Sequence, residues 1–344
     1  MEPRIIVSGS SDKTPRVWRY PRKLFTFREV GKLRPILEIF KFLTREEVVG
    51  IARVSKQFYE ASFHSEVRKP EFMTRVFRGH TGIVFSVAVS QREGILVSGS
   101  SDFTIRVWSL TTTRVTQVLR GHIDWVLCVA ISSDGEWVVS ASRDKTLRVW
   151  SLASGKATLV LKAHSMAAMS VVISSKGQYI VSCSYDKTIR VWSLTTGEVI
   201  RVLQGHSDCV RSVAISKSDQ YIVSGSSDCT VRVWSLTSGD LIRIIKGHGG
   251  AVYSVAISSD EQFIVSGSSD GTIRVWSLTP GETTQVLKGH TGPVLSVKLS
   301  RDDKYLVSGG GHGDYSVKVW DLSTGEQTQQ LQGHTHPVCS VNLI

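Results

Sequence analysis

Histidine, serine and aspartate recur together along this chain. Hydrolases that work by acyl transfer combine those three types as base, nucleophile and orienting acid. One set is His206, Ser224 and Asp228, followed by Trp234; another is His122, Ser140, Asp144 and Trp150. The pattern returns at His80, Ser98, Asp102 and Trp108, at His164, Ser182, Asp186 and Trp192, and at His248, Ser266, Asp270 and Trp276. A sixth set has His290, Asp314 and Trp320; there Gly309-Gly-Gly-His-Gly313 adds two residues before the aspartate, which is expected to move Ser308 out of the usual spacing. His334 has no partners after it, and Ser8, Asp12 and Trp18 at the other end of the chain supply them. A catalyst needs one such site. Recurrence around the whole chain argues for a structural network, and the chain is expected to be a binding platform and not an enzyme.

The elements that hold these residues follow from their spacing. The seven histidines are separated by 42 residues five times and then by 44. Between them lie runs such as Val210-Arg-Ser-Val-Ala-Ile-Ser216, Tyr221-Ile-Val-Ser224 and Thr230-Val-Arg-Val-Trp-Ser235. Short β-branched runs bounded by Ser, Asp and Gly are the mark of strands joined by tight turns. Four strands fit one period, the outermost resembling Val199-Ile-Arg-Val-Leu203. After His334 only Val338–Ile344 remains, and the missing middle strands are Ile5–Ser10 and Thr14–Trp18. One unit is therefore expected to be built from both ends of the chain, which would pair strand edges otherwise left open. Pro15 lacks an amide hydrogen and must stand at a strand start.

These features resemble the WD-repeat family, which has a period of roughly 40–45 residues marked by Gly-His and Trp-Asp. The resemblance covers residues 4–19 and about 73–344, with one departure: Asp follows Trp only at Trp320-Asp321, and Ser109, Ser151, Ser193, Ser235, Ser277 and Arg19 stand there elsewhere. It implies an all-β, seven-bladed β-propeller. It also implies that each His–Ser–Asp–Trp set is a structural tetrad, in which Asp bonds His, His bonds Ser and Ser reaches the Trp N–H.

One interval breaks the period. Trp18 and His80 are 62 residues apart, whereas the other Trp-to-His steps are 14. Within this stretch, residues 33–59 change from a period of two to about 3.6, which predicts short helices. Ile36, Phe40 and Leu43 share one helical face, and Thr44 with Glu47 forms a capping box that opens a second helix carrying Val48. So small a helical unit cannot bury its apolar faces alone. The segment resembles an F-box through Ile39, Phe40, Phe42, Leu43, Val54, Lys56 and Phe58, although Pro35 falls late and Phe58 stands where Trp is common. The organisation is thus read as residues 4–19, the first part of the closing blade; 20–72, the helical insert; and 73–344, the rest of the propeller. The resemblance implies docking of Ile36, Ile39, Phe40, Leu43, Val48, Val54 and Phe58 on a Skp-type adaptor of a cullin–RING ubiquitin ligase, with the propeller holding the substrate. The alternative is a non-enzymatic WD-repeat scaffold for another multiprotein complex.

The same resemblance implies two rim positions per blade on the face of the His and Asp turns: the fifth residue after His and the residue before Asp. Trp125 lies two residues before the first of these in its repeat and is expected to point the same way. The candidate substrate-binding residues are Phe85, Trp125, Leu127, Arg143, Met169, Tyr185, Arg211 and Tyr253, since aromatic and arginine side chains are the usual anchors of interfaces. Only two arginines converge there, so a largely apolar motif with one anionic group is expected in preference to a multiply phosphorylated one.

The net charge of +11 invites a nucleic-acid reading. Its source is a repeat pattern, because Arg16, Arg106, Arg148, Arg190, Arg232, Arg274 and Lys318 follow each turn aspartate by four residues and spread around the ring. No basic tract is interleaved with aromatics in the manner of a stacking platform. Five cysteines without CxxC spacing favour no zinc site or disulfide framework, and no metal or cofactor is expected. The opening Met1-Glu2-Pro3-Arg4 lacks the apolar core of a secretory signal, and a cytoplasmic or nuclear location is expected.

Overall fold

The computed structural model describes residues 4–20, 73–90, 92–278 and 283–343. Residues 33–59, with the expected helices and Ile36, Ile39, Phe40, Leu43, Val48, Val54 and Phe58, lie outside the described residues. Among the described residues there are strands and turns and no helix.

The strands form seven four-stranded antiparallel sheets. One contains β1 (Arg4–Ser10), β2 (Arg16–Tyr20), β3 (Met73–Val76) and β28 (Val338–Leu343), in the order β28-β1-β2-β3. The next runs β4 (Val84–Ser90), β5 (Ile95–Ser100), β6 (Ile105–Ser109), β7 (Val115–Leu119). It is followed by β8 (Val126–Ile131), β9 (Trp137–Ser142), β10 (Thr146–Ser151), β11 (Lys156–Lys162). Then come β12 (Ala168–Ile173), β13 (Tyr179–Ser184), β14 (Ile189–Ser193), β15 (Val199–Leu203). The fifth sheet has β16 (Val210–Ile215), β17 (Tyr221–Ser226), β18 (Val231–Ser235), β19 (Leu241–Ile245). The sixth has β20 (Val252–Ile257), β21 (Phe263–Ser268), β22 (Thr272–Ser277), β23 (Thr283–Lys288). The last has β24 (Val294–Leu299), β25 (Tyr305–Gly310), β26 (Val317–Asp321), β27 (Gln327–Leu331).

The first strand of each of these six sheets packs against its counterpart in the next, from β4 through β24. β24 contacts β28, and β28 contacts β4, so the series returns on itself. The closing contact is covalently remote: Ser8 pairs with Val341 and Val7 with Asn342 across the two ends of the chain. Pro15 stands just before β2, where it needs no ladder donor, and its carbonyl accepts from Phe77 N at 3.1 Å.

Burial follows position within each sheet. The second strand is buried along nearly its whole length, as in β17, because it is covered by the sheets on both sides. That strand can therefore carry only aliphatic, small or fully hydrogen-bonded residues. The outer strand is largely exposed, as in β19. Two devices join adjacent sheets. Ser86 Oγ accepts from Val129 N at 3.1 Å, and Ser212, Ser254, Ser296 and Ser340 do the same for Val255, Val297, Val341 and Val87. Gly225 in β17 brings the backbone close to the next sheet: a Cβ there would meet Val252 Cγ1 at 2.7 Å and Val255 Cγ1 at 2.9 Å.

The serines that replace Asp after Trp keep its local role. Ser151, Ser193 and Ser235 hydroxyls accept from the backbone amides of Ser154, Thr196 and Ser238, as Asp321 Oδ1 accepts from Thr324 N. A hydroxyl closes this turn as a carboxylate does, which is why the charge can be dropped without losing the turn.

Replacing Gly225 by valine should force Val252 and Val255 aside and destabilise the protein by about 1–3 kcal/mol, the usual cost of overpacking. Chemical denaturation followed by tryptophan fluorescence checks this, and a midpoint unchanged from the parent chain counts against the close approach.

Candidate functional site

Each recurring polar set is assembled from one loop and two strands of one sheet. His206 lies in the loop before β16, Ser224 in β17, Asp228 in the β17–β18 turn and Trp234 in β18. His206 Nδ1 is 2.7 Å from Asp228 Oδ2, its Nε2 is 2.8 Å from Ser224 Oγ, and Trp234 Nε1 donates to the same hydroxyl at 2.9 Å. An ionised aspartate only accepts, so Nδ1 carries the proton. Asp228 also accepts from Thr230 Oγ1 at 2.6 Å and from Ser207 N at 3.1 Å, which ties the turn to the loop.

The atoms follow the order of a hydrolytic triad, but Ser224 has no exposed surface and its oxygen is already shared between imidazole and indole. No substrate carbonyl can reach it there. The same three contacts occur at His80, His122, His164 and His248. In the closing sheet His334 bonds Asp12 at 2.7 Å and Ser8 at 2.8 Å. The Trp18 side chain is outside those described.

The sixth set corrects the sequence expectation. Ser308 keeps its place, 2.6 Å from His290 Nε2 and accepting from Trp320 Nε1 at 2.8 Å, while His290 Nδ1 reaches Asp314 at 2.7 Å. The two extra residues are taken up in the turn between Ser308 and Asp314, where Gly311 N bonds Pro293 O. Histidine-to-serine spacing is unchanged, and only the serine-to-aspartate path is longer.

Burial alone would raise the Asp12 carboxyl, but hydrogen bonds from His334 and Thr14 and the charge of Arg16 outweigh it and hold it at about 2. Asp270 is likewise held at about 2, against the effect of burial, by Thr272, His248 and backbone amides. Burial pushes His248 and His334 below their usual range despite the aspartates beside them. Both kinds of shift have the same sign. A lowered carboxylate stabilises the fold above its ordinary range, and that contribution is lost as pH falls toward the folded value. A lowered histidine stabilises it fully above about 6.5 and less as acid protonates the unfolded chain preferentially.

The recurring basic residues are absorbed by the same framework. Arg16 pairs with Asp12 at 3.1 Å, Lys318 with Asp314 at 3.6 Å, and the guanidinium groups of Arg148 and Arg274 lie over Trp150 and Trp276. Among the described residues no group of His, Cys, Asp and Glu could hold a metal, and Cys128, Cys183, Cys209, Cys229 and Cys339 are free thiols.

The rim positions have a structural cause. In every sheet the strand pairing shifts at the fifth residue after the histidine: Val84 pairs with Ser100 but Ser86 with Gly99, which leaves Phe85 as the extra residue of a bulge. Leu127, Met169, Arg211, Tyr253, Leu295 and Cys339 occupy the same bulge. A bulge re-aims one side chain out of the alternating pattern.

The structure gathers the candidates into two groups. Phe85 and Trp125 stack with ring centroids 5.5 Å apart, and Arg143 lies over Trp125 at 4.7 Å with Asp124 3.7 Å from its Nε. Arg211 lies between Tyr185 and Tyr253, at 5.5 and 4.9 Å. Met169 and Leu127 are half-buried like the other bulge residues, and Met169 also touches the core formed around Val181, Ile189 and Val210. Sequence reasoning missed the exposed Phe103, Ile123 and Met166 on the same side; comparison of each position across the repeats would have found them.

The sheets, their recurring tetrads and their closed order define a WD-repeat β-propeller. Residues 168–328 match the family described as "WDR90, 4th beta-propeller", and residues 72–109 and 113–151 match "WD domain, G-beta repeat". No curated protein matches the chain. Propellers with these repeats are in general non-enzymatic scaffolds that bind protein partners.

His206→Ala leaves the Ser224 O–H without its acceptor and Asp228 Oδ2 without the imidazole N–H, so it should destabilise by about 1–3 kcal/mol, the cost of unpaired buried polar groups. Thermal melting checks it. Acidification from neutral pH should lower the melting temperature, and Asp270→Asn should melt lower at neutral pH and lose part of the decline between about 3.8 and about 2.

Proposed function

We propose that this chain is a protein-binding adaptor whose partner sits on the face of the His–Asp turns, and that it serves as the substrate-recognition subunit of a cullin–RING ubiquitin ligase. The observation that carries the first part is the pairing of aromatic rings with arginines at the bulges and in the loops and turns beside them: Phe85, Trp125 and Arg143 on one side, Tyr185, Arg211 and Tyr253 on the other. Such residues are the usual hot spots of interfaces.

The second part is supported by the F-box-like pattern of residues 33–59. The strands that flank the insert also bear on it: β2 ends and β3 begins on the side opposite the His–Asp turns. Partner face and attachment points are thereby kept apart. In this reading Ile36, Ile39, Phe40, Leu43, Val48, Val54 and Phe58 dock on a Skp-type adaptor. No residue of the chain carries out ubiquitin transfer, and the site of action is the cytoplasm or nucleus.

Co-expression with a Skp-type adaptor tests it. The intact chain should co-purify with the adaptor, and Ile39→Asp combined with Leu43→Asp should abolish this while the melting temperature of the propeller is retained. Failure of the intact chain to bind leaves a WD-repeat scaffold for another complex.

A further inference from the structure

The repeats act as an internal comparison, and at the top loops three successive sheets depart from the rest. Ile123 is 80% exposed where the other repeats carry Thr, Ser or Gly. Trp125, 37% exposed, stands where they carry Ile, Ala, Cys or Pro. Met166, 49% exposed, replaces Gly, Asp or His. Phe103, 41% exposed, occupies the turn position after the aspartate, where Lys13, Lys145, Lys187 and Cys229 share its positive φ but carry no large apolar side chain. Exposed apolar side chains that the fold does not need mark a contact surface.

Beside this apolar arc lies an arginine held rigidly by its neighbours. Arg211 is fixed between Tyr185 and Tyr253, and its Nε donates to Ser227 Oγ at 2.6 Å. Among the described residues its two terminal nitrogens make no hydrogen bond or ion pair, although Asp208 is close enough for the two charges to interact. Arg143, by contrast, already has Asp124 beside its guanidinium. A stacked guanidinium held at Nε presents its remaining edge as a fork that matches a carboxylate or phosphate.

We infer that the top face recognises a peptide segment carrying one anionic side chain, which is bound by Arg211, together with aromatic or aliphatic residues that lie over Phe103, Ile123, Trp125 and Met166. This inference rests on the top face being the binding face. One stacked guanidinium fork fits one anionic group, and either a glutamate or a phosphorylated serine supplies the same acceptor chemistry.

Selection of phage-displayed random peptides on the full chain tests it. The enriched sequences should carry an acidic residue at a fixed offset from an apolar one. A selected peptide resynthesised with that acid as glutamine should bind roughly tenfold or more weakly, and Arg211→Gln should weaken the acidic form similarly. Combining the two changes should add little, because both remove one contact. Versions with glutamate and with phosphoserine then distinguish the two sources of the anion. Binders that are lost on Trp125→Ala but indifferent both to Arg211→Gln and to the acid overturn the Arg211 assignment and leave the top-face reading standing. Peptides indifferent to both protein variants, or no enrichment at all, overturn both. The glutamine-substituted peptide keeps the test valid should Arg211→Gln melt below the parent chain.

Discussion

A serine hydroxyl without exposed surface, placed between an imidazole and an indole, is the point on which each sheet is built. Its oxygen takes the Trp N–H and its contact with His Nε2 leaves Nδ1 for aspartate, so two strands, the turn between them and one loop are fixed by one buried chain of bonds. Removing any link leaves a buried polar atom without a partner, and the low polarity of the surroundings makes that costly. The network sits in the second and third strands, where neighbouring sheets exclude water, and it holds the turns from which the rim residues project.

The rigidity of this frame explains how a repetitive architecture carries a particular surface. The bulge occurs in every inner strand at the same position, so the direction of the side chain is set by the fold and its chemistry by the residue placed there. Leu, Met, Arg, Tyr, Phe and Cys all occupy it without altering the pairing on either side. Selection can therefore change the partner without touching the core, and the serines that replace aspartate after tryptophan show the same economy in the turns.

Much of the fold was legible because each period contains its own punctuation. Strand positions, the tetrads and the pairing of the chain ends follow from residues spaced by 42. Ser308 was misplaced because spacing was judged from the aspartate, whereas the structure holds the histidine-to-serine distance and lets the turn absorb the extra glycines. The rim positions were legible, but their groupings were not. Arg211 meets Tyr185 and Tyr253 from the sheets on either side, which depends on spacing between blades that no single repeat encodes. Met169 occupies the same bulge and, half-buried like the other residues there, also touches the neighbouring core.

The pairing of β28 with β1 has a consequence for how the molecule comes into being. As the chain emerges from a ribosome, Ile6, Val7 and Ser8 are made before the other six sheets, and the strand that completes their own sheet only after them. Those early segments must wait, with unpaired edges, through the synthesis of every intervening sheet. Contacts so distant in sequence form slowly and expose the unfinished species to misassembly. The nascent ring thus has a late, single closing event, and its most vulnerable period is the interval before that event.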